Sequence, residues 1–324
     1  MPKFSRRAAG LSLCLVAAAC APTINLSDPA GPKFEGRFAP AVTSAPTTRT
    51  VRVVTFNIKL SRQIDRAIGV LQGDSLRGAD LVALQEMDEV GVRRIARALG
   101  LNYVFYPGVI HPTDHRYFGP ALLTRWPIER SWKLLLPHLG RVRHQQRVAT
   151  AALVRVRGQP IQVYAVHLET QLRVNERERA DQVETILDDA ATTRSPVVIA
   201  GDLNSYGVGP VLTHAGYTWA TERVGPTISF FSWDHIFTRG LSRPASVGVV
   251  RRVNGASDHH PVWAVVQLPG SASGLAAGQQ AGGGKRSGRE DWIRREAPAF
   301  RMRGHGVSIP PSTDTGAAPG SSGT

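Results

Sequence analysis

Eight polar side chains stand where strand-like runs of this 324-residue chain begin or end. Asn57 follows VRVVTF, Glu86 follows LVALQ and His167 follows IQVYAV. Asp202 and Asn204 follow PVVIA inside GDLN, Asp234 opens DHIF, and Asp258 and His259 stand just before PVWAVVQL. Asn57, Glu86 and Asp258 offer hard oxygens, the donors that Mg²⁺ or Mn²⁺ prefers. Such a cation polarises a phosphoryl oxygen and lowers the pKa of a bound water. Asp234 beside His259 would orient the imidazole and stabilise its charged form. Asn204 and His167 are neutral donors suited to charge growing on a phosphate. Together these residue types suit phosphoester hydrolysis.

The elements that must position them alternate between strand and helix. Val51–Phe56 is β-branched and aromatic, and Asp80–Gln85 is a buried-type strand. Ile64, Ala67, Ile68 and Leu71 fall at helical spacing, as do Val92, Ile95, Ala96 and Leu99, with Gly100 placed as a C-cap. Further strands are expected at 103–106, 120–124, 149–156, 161–166, 196–200, 234–237 and 262–268, and a third helix over 176–190. Some linkers are too short for a crossover helix, so those strands pair antiparallel, while others carry helices. A mixed sheet, or two of them, with helices outside follows. In such a sheet the ends of some strands and the starts of others share an edge, so all eight residues are able to converge on one rim.

The ordered set TFN, QE, HL, GDLN, DHIF and SDHHPV resembles the endonuclease/exonuclease/phosphatase family, which includes DNase I-like nucleases, sphingomyelinases and inositol-phosphate phosphatases. FGPALLTRWPI is similar to that family's Gly-x-Ala-hydrophobic-Leu-Ser-Arg-x-Pro-Ile strand, with Thr124 in place of Ser. The resemblance implies a four-layer α/β sandwich of two packed mixed sheets with outer helices, spanning 50–268. It also implies roles. Glu86 is the principal metal ligand with Asn57 beside it, and Asp258 supports the metal side. Asp202 is a candidate base and Asn204 contacts phosphate. His259 pairs with Asp234 and contacts the scissile phosphate, and His167 meets phosphate or the leaving group. The choice of base, Asp202 or His259, stays open. Arg147 opens a strand at the family's Arg-x-x-Ala-like position and is the candidate substrate-binding arginine. The cofactor implied is Mg²⁺ or Mn²⁺.

The two ends differ from the middle. Residues 1–20 carry Lys3, Arg6 and Arg7, a short apolar stretch and three alanines before Cys20, the outline of a secretory signal. The small residues before Cys20 resemble a bacterial lipoprotein processing site, which implies a lipid anchor and an exported protein of the cell envelope. Residues 21–49, rich in Pro, Ala, Thr and Ser, are expected to be a flexible tether, and 269–324, rich in Gly, Ala and Ser, a disordered tail. Both cysteines, Cys14 and Cys20, lie in the leader, so residues 21–324 can form no disulfide and no Cys-based zinc site. The net charge is +14. This basic excess suits a phosphate-bearing partner or an anionic membrane.

The expected activity is a phosphodiesterase or endonuclease-like one in a monomer. A phospholipase C or sphingomyelinase, a small-metabolite phosphatase and a non-catalytic envelope binding module are the alternatives. Nucleic acid and phospholipid both stay open as substrate. Phe230, Phe231 and Trp233 are read as strand and core packing.

Overall fold

The structure is a computed structural model and describes residues 23–41 and 48–269. The expected leader 1–20 and the tail beyond Pro269 lie outside the described residues. The chain runs β1 (Ile24–Asn25), β2 (Phe34–Gly36), β3 (Thr50–Asn57), α1 (Ile64–Leu71), β4 (Leu81–Met87), α2 (Glu89–Leu99), β5 (Asn102–Phe105), β6 (Val109–Ile110) and β7 (Tyr117–Thr124). It continues with β8 (Ile128–Leu135), β9 (Val148–Val156), β10 (Gln159–His167), α3 (Glu176–Ala191), β11 (Val197–Asp202) and α4 (Gly209–His214). Last come β12 (Thr218–Trp219), β13 (Asp234–Arg239), β14 (Ser246–Val249) and β15 (Val262–Gln267).

Two mixed sheets form the centre. One has the order β1-β6-β7-β4-β3-β15-β14, with β5 attached to β7 and β2 to β5, and the other β12-β13-β11-β10-β9-β8. Within each sheet one pair is parallel, β3 with β4 and β10 with β11, and a helix makes each crossover. Apolar side chains such as Val53, Leu122, Val154 and Ile236 fill the space between the sheets. The outer face of the first sheet packs on α1 and α2 through Ile64, Ile95 and Phe56, and that of the second on α3 and α4 through Ile186, Leu212 and Tyr164. This is the four-layer sandwich expected. Strands covered on both faces read as continuous apolar runs, which is why LVALQ and VVIA carry no alternation. Gly100 ends α2 at φ 62°, as its placement predicted.

The flexible tether over 21–49 is corrected where the structure describes it. β1 pairs with β6 and β2 with β5. Phe34 packs on Phe105 and Tyr117, and Phe38 stacks on Tyr103. The ammonium of Lys133 donates to the carbonyls of Leu26, Asp28 and Gly31. Two phenylalanines and borrowed backbone partners order a segment that has no periodicity of its own.

Candidate active site

The sheet registers bring the polar strand ends to one edge. Asn57 lies level with Gln85, His167 with Asp202, and Asp202 with Asp234. Val262 faces Thr55, which sets Asp258 and His259 at the same end. Gly201 makes the β10–β11 approach possible, because a Cβ there would collide with the carbonyl of Val166. Asn204 adopts φ 49° and Glu86 φ 58°, and Glu86 sits at an irregularity in the β4–β7 pairing. Left-handed backbone at non-glycine residues is costly and clusters at functional sites.

His259 is held between two carboxylates. Its Nδ1 lies 2.8 Å from Asp234 Oδ2 and its Nε2 lies 3.8 Å from Asp202 Oδ2. Burial favours the neutral ring, but Asp234 and then Asp202 outweigh it and raise His259 to about 10. The ring is therefore an imidazolium at neutral pH. Burial lifts the Asp202 carboxyl to about 7; His259 pulls against this, Asp234 adds to it, and donors from Asn204 and Asn57 oppose it. Asp202 Oδ1 accepts the Asn204 N–H at 2.9 Å, and Oδ2 accepts the Asn57 amide at 3.0 Å. Ligand atoms of Asp202, Asp234 and His259 lie within 4.8 Å of one another. A doubly protonated ring has no lone pair for a metal, so this trio offers carboxylate oxygens only.

Asn57 joins the trio to Glu86. Its amide also donates to Glu86 Oε1 at 3.2 Å, while its Oδ1 accepts the Lys59 N–H. The residue thus couples two carboxylates, and its Oδ1 keeps a second lone pair beside the Lys59 bond. Lys59, Leu60 and Ser61 all have positive φ, a turn that points the Leu60 N–H at Glu86 Oε2, 2.9 Å away. Asp258 is half-exposed and pairs with Lys59 at 2.9 Å. Burial raises its carboxyl, but Lys59 and His259 bring it below the ordinary value. Among the described residues, the cations paired with Glu86, Asp202, Asp234 and Asp258 are the His259 imidazolium and Lys59. Four carboxyl groups, one of them Asp202 raised to about 7, share these two cations, a negative excess that a divalent cation would offset. Oδ1 of Asp234 is buried with no partner among the described residues, which points to the same deficit.

His167 is 3% exposed with Nε2 3.5 Å from Asp202 Oδ2. Burial first, then the charge of Arg147, holds it well below the usual histidine value, so the ring is neutral. Arg147, the expected substrate-binding arginine, has a side chain 6% exposed that bonds Glu169 at 3.0 Å. It packs over Phe118, and its charge acts on His167. Asn204, expected at the phosphate, donates one amide hydrogen to the Leu168 carbonyl at 2.9 Å, which leaves one free of that bond.

Several partners escaped the sequence reading. Ser257 donates to the Asn57 carbonyl at 2.7 Å and accepts the His259 N–H at 3.1 Å, tying β3 to the histidine turn. Its position two residues before His259 is a hydroxyl-turn signal that was there to read. Thr227 Oγ1 accepts the N–H groups of Trp233 and Asp234. Buried Glu169 and the Lys59 pairing had no local signal. Phe230 and Phe231, read as core, are 76% and 38% exposed on a turn whose Ile228 bridges to His259.

Residues 54–259 match the sequence model of the Endonuclease/Exonuclease/phosphatase family. No curated protein matches the chain. Similar solved structures include an endonuclease/exonuclease/phosphatase from Beutenbergia cavernae, 20% identical, TM-score 0.56, covering 68% of this chain and 72% of that one. D. rerio TDP2, complexed with a single-strand DNA product, is 19% identical with TM-score 0.54, covering 68% and 99%. Sphingomyelinase C from Streptomyces griseocarneus is 19% identical with TM-score 0.51, covering 68% and 100%.

Proposed function

The chain belongs to the endonuclease/exonuclease/phosphatase family, and from that premise we propose that it is a divalent-cation-dependent phosphodiesterase of the cell envelope. One observation carries the reading: a buried histidine, His259, lies between Asp234 and Asp202, beside the Glu86 carboxylate that Asn57 links to them. Asp202, raised toward neutrality, is suited to take the proton of the attacking water. His259, charged through Asp234, donates from Nε2 to a phosphate oxygen as negative charge builds there. That assignment favours Asp202 over His259 as base. His167, neutral and 3.5 Å from Asp202, is placed to donate to the phosphate or the leaving group. Glu86, with Asp258 nearby and Asn57 fixing its carboxylate, would hold Mg²⁺ or Mn²⁺, which supplies charge neutralisation at the phosphate when bound. A diester substrate draws support from the family's similar structures, one with a DNA product and one a sphingomyelinase C. The envelope location draws support from the leader and Cys20.

The test is turnover of bis-p-nitrophenyl phosphate by the full chain with Mg²⁺ or Mn²⁺ and after chelation. The wild type is expected to turn over and to stop with EDTA, and His259→Ala to lose about 10³-fold in rate while staying folded. Equal rates for the two proteins would move the assignment to a non-catalytic binding module.

A further inference from the structure

Among the described residues nine large apolar or aromatic side chains are exposed, and seven stand at the catalytic edge. Val90 begins the helix after β4. Leu139 and Val142 lie in the β8–β9 connection, and Leu172, 93% exposed, follows β10. Tyr206 follows β11, and Phe230 and Phe231 precede β13. Scattered exposed apolar residues are ordinary, but confinement to the loops of one edge marks an interaction surface. The connection 136–147 interleaves Leu139 and Val142 with Arg141, which pairs with Glu178, and Arg143, and holds no acidic residue of its own. Apolar tips among basic groups match the headgroup layer of an anionic bilayer.

The N-terminal segment points the same way. The Thr23 N–H donates to the Arg143 carbonyl at 3.3 Å, and the Asn25 amide to the His144 carbonyl at 2.7 Å. The Gln146 N–H donates to Asn25 Oδ1 at 2.9 Å. The start of the described chain is therefore fastened to the basic, apolar rim loop. Cys20 is only three residues earlier, a reach of about 10 Å. A lipid at Cys20 on so short a leash would hold this edge, not its opposite, against the bilayer.

We propose that the catalytic rim docks on an anionic phospholipid surface and that the substrate phosphoester is a phospholipid headgroup. The proposal rests on the hydrolase reading above and specifies its substrate. The test uses the full chain carrying Cys20→Ser, so that only the rim can bind, and vesicles of equimolar phosphatidylcholine and phosphatidylglycerol. The parent is expected to float with these vesicles and release their headgroups, and to float less with phosphatidylcholine alone. Leu172→Glu with Phe230→Glu is expected to cut flotation about tenfold, while bis-p-nitrophenyl phosphate turnover is unchanged and so reports a folded site. In the lipidated chain, a Gly-Ser insertion after Pro22 is expected to slow headgroup release and leave soluble turnover alone. Flotation indifferent to the two substitutions overturns the proposal, as does rim-dependent binding of a single-stranded oligonucleotide without flotation. A parent that floats but never cleaves the soluble diester overturns the hydrolase reading while upholding the surface.

Discussion

The two ends of the sandwich both bury charge, and they treat it differently. At the end opposite the catalytic edge Asp80 is 4% exposed, yet each oxygen has a donor: Arg52 N–H at 2.8 Å and Trp126 Nε1 at 3.0 Å. Arg157 and Arg125 flank it at 3.6 and 3.8 Å. At the catalytic edge Asp202 and Asp234 share one imidazolium, and an Asp234 oxygen lacks any partner among the described residues. Burial alone therefore does not mark a site. A carboxylate with its donors and cations in place locks a fold, whereas carboxylates crowded beyond their cations store affinity for a ligand.

Four substitutions press on that difference. Asp234→Asn is expected to have the largest effect, about 10³–10⁴-fold in kcat, because His259 loses both its orientation and its charge partner. Steady-state rates beside a thermal melt check this, and a rate near wild type would place the chemistry elsewhere. Asp80→Ala is expected to do the reverse. Removing one side of a buried charge cluster costs about 3–5 kcal/mol, read by urea unfolding, with kcat on the remaining folded protein unchanged. Gly201→Ala is expected to couple the two behaviours: the new Cβ pushes β11 from β10 and shifts Asp202 away from His167. A displacement of this kind costs about 10²-fold in rate.

The smallest effect concerns pH. Burial raises the Glu169 carboxyl, but Arg147 outweighs it and leaves the pKa below the usual 4.5. A carboxyl depressed on folding contributes stability above its unfolded value, and that contribution is lost as pH falls through its folded value. Glu169→Gln is therefore expected to be less stable than wild type at neutral pH, with the gap narrowing below about pH 4.5. A gap that is constant over the whole range would show that the Arg147–Glu169 pair contributes through packing alone.

Much of the site was legible because its residues terminate strands that announce themselves. VRVVTF, PVVIA and IQVYAV are too apolar to be anything but buried strands, so the polar residue after each must stand at an edge. What was not legible depends on where side chains point once the sheets meet. Asn57 lends its amide to two carboxylates from different sheets, and Arg147 turns inward because buried Glu169 waits there. Phe230 and Phe231 were read as core because an apolar type does not say which side of a turn it occupies. β1 and β2 were missed for a related reason: strands of two or three residues have no periodicity, and their order comes from edge strands that supply the hydrogen bonds. β8 was missed because IERSWKLL, half-exposed at the rim of its sheet, mixes charged and apolar residues.

The carboxylate cluster of Glu86, Asp202, Asp234 and Asp258 is short of positive charge, and the account has it take a divalent cation to meet a phosphate. Calorimetric titration of Mg²⁺ and Mn²⁺ into the full chain and into Glu86→Gln addresses it most directly. The account predicts saturable binding to the wild type and binding weakened by about tenfold or more in Glu86→Gln. No binding to either protein, or the same isotherm for both, would contradict it.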